Sequence, residues 1–138
     1  GNTVTVTLND TSLTPTYTAT LSHTVRDEGD ILTTTMTTEN VANGTSLPYT
    51  ITGIQSADIG GGALTGDFIV GTTESRVFNV SSDLSTEGTE VFQLALDNGE
   101  ATVGVTINDT SITKFERSKL INRVFGNSIK NTFNFVNN

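Results

Sequence analysis

Thr102-Val103-Gly104-Val105-Thr106-Ile107-Asn108-Asp109-Thr110-Ser111 alternates small polar and apolar residues and then stops at Asn-Asp. That period of two marks a strand with one buried face, and Asn-Asp is turn chemistry. Residues 3–12 read Thr-Val-Thr-Val-Thr-Leu-Asn-Asp-Thr-Ser, identical at eight of ten positions with an offset of 99. A repeat of that length corresponds to one β-sandwich module. Residues 1–12 therefore read as the last strand of a preceding module, 13–16 as a linker in which Pro15 ends strand pairing, and 17–111 as one complete module. A lone strand cannot bury its apolar face, so residues 1–12 are expected to be completed by other sequence or by another chain. The start at Gly1, with no signal-like segment, predicts a chain taken from a longer or processed polypeptide.

Within 17–111 the same period recurs. Strands are expected near 17–22, around Leu32, Thr34 and Met36, and near 47–53, 63–70, 75–81, 90–97 and 101–108. Asn43-Gly44 is a tight-turn signal, and Gly60-Gly61-Gly62 marks an irregular loop. Phe68, Phe78, Val80, Phe92, Leu94, Leu96, Val103, Val105 and Ile107 are the expected core, with Tyr49 and Ile51 sharing one face of their strand. Seven short strands with turn signals every eight to twelve residues predict an all-β, Ig-like, seven-stranded Greek-key sandwich.

Composition agrees. Only 34% of the 138 residues are hydrophobic, while Thr, Ser, Asn and Gly are abundant. There is no cysteine and one histidine, His23, beside a strand end. With no nucleophile motif either, the sequence predicts no enzyme. No apolar run reaches membrane-spanning length, so no membrane insertion is expected.

The net charge of −8 is unevenly spread. Residues 1–111 carry fourteen Asp or Glu against Arg26 and Arg76, whereas the rest carries Lys114, Arg117, Lys119, Arg123 and Lys130 against Glu116 alone. An acidic body argues against nucleic acid as a partner. In the tail, residues 113–116 have the form of a capping box, Leu120, Ile121, Val124 and Phe125 share a helical stripe, and Gly126 is placed to end the helix. Such a helix is marginal alone, and Phe115, Phe133 and Phe135 add apolar surface. Residues 112–138 therefore read as a basic docking arm with a short helix, held by this domain or by a neighbouring subunit.

Asp83-Leu84-Ser85-Thr86-Glu87-Gly88-Thr89-Glu90-Val91-Phe92 packs three carboxylates into eight residues and runs straight into a strand. Anions held that close repel one another unless a cation sits among them. With Asp27-Glu28-Gly29-Asp30, Ser56-Ala57-Asp58 and the closing Val105-Thr106-Ile107-Asn108-Asp109, this loop resembles the calcium-binding Calx-beta domains over roughly residues 17–111. The resemblance implies Ca²⁺ ligands at Glu28, Asp58, Asp83, Glu87, Glu90 and Asp109, with a carbonyl from Ser85, meeting at one end of the sandwich. Ser82, Asn108 and Thr110 stand where fully competent members carry aspartates, and Ile59 replaces an aromatic, which implies fewer ions and millimolar binding.

Tandem, Thr-rich Calx-beta-like modules followed by a helical arm look like virion proteins of tailed phages. The resemblance thus implies a structural module of a tail, neck, fibre or capsid-decorating protein. It would be located in the virion, anchored through its termini to other virion proteins, and homo-oligomeric. The loop tips at 43–46 and 71–74 suit contact with a host-surface ligand. The alternative is a calcium-stiffened repeat of a secreted or cell-surface bacterial adhesin. Against it, Ser111-Ile112-Thr113 leads into a basic helix where Ser12-Leu13-Thr14 led into a sandwich.

Overall fold

The computed structural model describes residues 1–111. The expected helix and basic arm at 112–138 lie outside the described residues. The described chain is mostly strand: β1 (Thr16–Leu21), β2 (Val25–Asp27), β3 (Ile31–Glu39), β4 (Ser46–Thr52), β5 (Thr65–Ile69), β6 (Ser75–Asn79), β7 (Glu90–Leu96) and β8 (Thr102–Asn108). A single 3-10 turn, Ser56–Ile59, is the one helical element among the described residues. Residues 1–15 belong to no strand, and Val4, Val6 and Leu8 are exposed.

Two sheets share the core. One has the order β1-β3-β6, the other β2-β8-β7-β4-β5. All pairings are antiparallel except β2 with β8, which is parallel over Val25↔Thr106, Arg26↔Ile107 and Asp27↔Asn108. Eight strands thus replace the seven expected. The added one, β2, is three residues long, too short for a period of two to show in sequence.

Alternation dictates which residues turn inward. In β3, Leu32, Thr34 and Met36 are all at or below 2% exposure, while the intervening threonines face out. Buried Thr34 is satisfied by donating its hydroxyl to the Arg76 carbonyl at 3.3 Å. Leu47, Tyr49 and Ile51 of β4, Phe92, Leu94 and Leu96 of β7, and Val105 and Ile107 of β8 enter from the larger sheet. Every expected core residue is buried except Val103, which is half-buried against the cluster. Ile54, Ile59 and Val70, beyond strand ends, complete it. Aromatic packing joins the sheets through Phe78, whose ring centroid lies 5.2 Å from that of Phe92 and 6.4 Å from that of Tyr49, while Tyr49 and Phe68 pack within the larger sheet at 5.0 Å.

Gly53 closes β4 against β7. Its φ is +83°, and a Cβ there would lie 1.9 Å from the Val91 carbonyl oxygen, so only glycine fits.

Candidate metal centre

Four chain segments converge where β2 and β8 end and β3 and β7 begin. The turn at 27–30 is tied to the end of β8 by the Glu28 amide donating to the Asn108 carbonyl at 3.2 Å. It is tied to the chain after β6 by the Gly29 amide donating to the Val80 carbonyl at 3.0 Å. The 3-10 turn joins through the Ser81 amide, which donates to the Asp58 carbonyl at 2.7 Å, and through the Gly60 amide, which donates to the Ser81 hydroxyl at 2.7 Å. The loop at 83–89 is held by Asp109, whose Oδ2 accepts the amides of Glu87 at 2.9 Å and Gly88 at 3.0 Å. Sequence neighbours did not bring these segments together; the parallel β2–β8 pairing and the β7–β8 register did.

The six carboxylates do two different jobs. Asp58, Glu87 and Glu90 each direct one oxygen into a common space, and those oxygens all lie within 4.8 Å of one another. Two oxygens on opposite sides of a Ca²⁺ ion are about 4.8 Å apart, so the trio is close enough together for its carboxylates to share a hard cation that would take its remaining ligands from water or carbonyls. Glu87 is exposed, while Asp58 and Glu90 are half-buried. Asp58 is oriented by its Oδ2, which accepts the Gln55 amide at 2.5 Å.

Glu28, Asp83 and Asp109 lie outside this trio. Each is engaged locally. Glu28 Oε2 accepts the Thr110 amide and hydroxyl, both at 3.3 Å. Asp83 Oδ1 accepts the Ser85 amide at 2.7 Å, forming an Asx turn. Asp109 Oδ1 accepts from the Ser111 amide at 2.7 Å and hydroxyl at 2.5 Å. Neutral residues beside these carboxylates act as donors: Thr110 to Glu28, and Asn108 Nδ2 to Asp27 Oδ1 at 2.9 Å. Part of the negative charge is therefore stabilised by neutral donors inside the chain, without being neutralised.

The titration of these groups follows the same division. Hydrogen bonds from the Ser111 side chain, then the Gly88 and Ser111 amides, hold the Asp109 carboxyl down to about 2. Partial desolvation, followed by repulsion from Asp58 and then Asp83, Glu28 and Asp109, raises Glu87 above the usual carboxylate range. Desolvation and repulsion from Asp58, Glu87, Glu28 and Asp109 raise Glu90 as well. Two carboxyls in the trio thus resist ionising together, which is the state a cation relieves.

Sequence reasoning chose the acidic positions but missed that Asp109 is the anchor of the acidic loop. The signal was present, because Asp-Thr-Ser is an Asx-turn pattern and recurs at 10–12. The arm residues Phe115, Leu120, Ile121, Val124, Phe125, Phe133 and Phe135 lie outside the described residues. No protein-family model matches the chain, and no curated protein matches it.

Proposed function

We propose that this chain is a non-enzymatic structural module of a larger assembly, anchored through its termini, and that the assembly is a tailed-phage virion. One observation carries the first half of this reading. A complete hydrophobic core is built from residues 17–107, while a strand-patterned segment at 3–9 leaves Val4, Val6 and Leu8 at 84%, 73% and 89% exposure. Apolar alternation exposed in this way is a pairing surface.

The non-enzymatic part of the reading rests on the sequence, which has no cysteine, one histidine and no nucleophile motif. A cavity of about 340 Å³ opens between the edges of β5 and β6 over Tyr49 and Phe78, and neither a carboxylate nor a histidine lines it. Its one charged group, Arg76, has its Nε donating to the Asp67 carbonyl at 3.1 Å. The virion half, with the homo-oligomeric partner, rests on the sequence resemblance and on the basic arm.

Deleting residues 112–138 is expected to leave the Tm of the sandwich in place and to remove the protein from particle fractions of a producing lysate. A truncated protein that still cofractionates with particles ends the anchoring reading.

A second reading, the calcium-stiffened adhesin repeat, is favoured by the Asp58–Glu87–Glu90 trio. Under it, millimolar Ca²⁺ raises Tm relative to chelator, and Glu87→Gln with Glu90→Gln abolishes the rise. An identical Tm in calcium and chelator leaves the carboxylates as loop residues only.

A further inference from the structure

Tyr49 of β4 faces the core and is 5% exposed. Its ring is packed between Phe68 and Phe78, yet its hydroxyl makes no hydrogen bond to any described residue. Buried phenols ordinarily find a partner, because an O–H taken out of water without one is costly. The β4–β5 register sets Gly66 directly opposite Tyr49, and a Cβ at Gly66 would come 2.5 Å from the hydroxyl oxygen. Glycine at 66 thus lets the phenol lie across β5, where both residues line the cavity of about 340 Å³ between β5 and β6. That volume is at the lower end of small-molecule sites.

The second polar group of this cavity is Arg76 of β6. Its Nε, at 3.1 Å, and its Nη2 both donate to the Asp67 carbonyl, which fixes the guanidinium across the gap between the two strands. That occupies two of its five N–H groups, and the other three meet no described residue. Arg76 also has no carboxylate partner among the described residues, although residues 1–111 carry fourteen Asp or Glu; the one ion pair there joins Arg26 to Asp30. A fixed, half-buried guanidinium without a counter-ion is a receptor for an anion. Burial pushes the Tyr49 phenol above its ordinary value, against the opposing effect of Arg76, so the hydroxyl keeps its proton and remains a donor.

The rest of the cavity narrows the choice of occupant. Ile59, Ala63 and Phe78 supply apolar wall. An added peptide strand finds little of the β5 edge left to pair with. The Asp67 carbonyl is taken by Arg76, and Ile69 exchanges both backbone bonds with Thr73, at 2.9 and 2.8 Å. A phosphate is disfavoured as well, since one guanidinium balances one negative charge and the surrounding acidic body repels a dianion.

We propose that the cavity between β5 and β6 binds a small organic carboxylate, which accepts from Arg76 and Tyr49 and lays its carbon body against Ile59, Ala63 and Phe78. Sugar acids and aromatic acids share this chemistry. None of the lining residues belongs to the Asp58–Glu87–Glu90 trio. The site goes beyond the assembly reading and stands whether the chain serves a virion or an adhesin.

The test is a titration of the 138-residue chain, followed by amide NMR shifts, with glucuronate and benzoate and with glucose and benzyl alcohol as their neutral counterparts. Saturable shifts at Gly66, Arg76 and Phe78 are expected with at least one of the two acids, and whichever binds tells a sugar body from an aromatic one. Arg76→Gln is expected to weaken that binding by about tenfold or more, and Tyr49→Phe by about threefold. Tyr49→Phe should leave Tm unchanged or raise it, because the hydroxyl has no partner in the chain to lose. The proposal is overturned if neither acid gives saturable shifts, if a neutral counterpart binds as well as its acid, or if inorganic phosphate displaces the acid at lower concentration. A Tyr49→Phe chain that loses Tm and binds as before overturns it too, by assigning the hydroxyl to the fold. Should Arg76→Gln fail to fold, Tyr49→Phe and the acid-against-neutral comparison decide.

Discussion

Residues 3–12 and 102–111 differ at two positions and share a terminal Asx turn, yet Val105 is 1% exposed and Val6 73% exposed. Turn formation needs only a side chain and an amide two residues on, so it survives in both copies. Strand formation needs partners for a row of amides and carbonyls and a second sheet to cover the alternate side chains, and only β7, β2 and the β1-β3-β6 sheet supply them. What separates the two copies is context, since the unpaired copy has threonine, the better strand former, where the paired one has Gly104.

The largest test of that statement is a charge in each copy. Val105→Asp buries an unpaired carboxylate between the sheets and is expected to cost more than about 4 kcal/mol, enough to unfold the domain. Val6→Asp is expected to leave the melting curve of the single chain unchanged. Equal effects from the two would show that the N-terminal copy is packed in solution.

Next in size is the pair of aspartates. Asp109→Ala removes the acceptor for the Glu87, Gly88 and Ser111 amides and is expected to lower Tm and release protection at 87–88 in hydrogen exchange. Asp10→Ala loses only its own turn with Ser12 and leaves Tm unchanged.

The pH profile sharpens the contrast between the anchoring carboxylate and the repelling ones. Asp109 is depressed from 3.8 to about 2 in the folded chain. Its contribution is therefore full above the unfolded value and is lost as pH falls from 3.8 towards 2. Glu87 and Glu90 run the other way. Both are raised from 4.5, so the folded chain holds more protons above that pH and stability declines as pH rises through their folded values. In chelator, the Asp109 contribution is therefore expected to be lost below 3.8 and the Glu87 and Glu90 repulsion to set in above 4.5, with neither acting in the range between. Glu87→Gln with Glu90→Gln should remove the decline above that range while leaving the acid limb intact. A decline that persists would place the repulsion elsewhere.

The smallest effect expected is that of Gly104→Thr with Ile107→Leu, which makes the two copies identical. The new Cβ has room, and threonine has the higher strand propensity, so stability should change by less than about 1 kcal/mol in thermal unfolding.

Much of the fold was legible because burial on one face writes itself into alternation. Leu32, Thr34 and Met36, or Phe92, Leu94 and Leu96, declare a strand and its inward side without reference to any partner. β2 was not legible, since three residues carry no period and its existence depends on lying parallel to the end of a strand some eighty residues away. The candidate site divides in the same manner. Composition and spacing marked Glu28, Asp58, Asp83, Glu87, Glu90 and Asp109 as an acidic set, but gave no means of sorting them. Asp58, Glu87 and Glu90 bring oxygens close to one another, Asp58 being held by the Gln55 amide as well, and the other three accept from amides or hydroxyls without joining them, because the fold fixes which donors face which carboxylates.

By itself the amino-acid order determined the all-β class and the inward-facing residues of each long strand, which depend on neighbours near in sequence, and it showed a decapeptide recurring at an offset of 99. Only the tertiary structure decided which copy of the repeated strand is paired, where the parallel contact forms and which carboxylates converge. Those outcomes depend on hydrogen bonds and Coulomb forces between segments far apart in the chain, which act only once the sheets have set their distances.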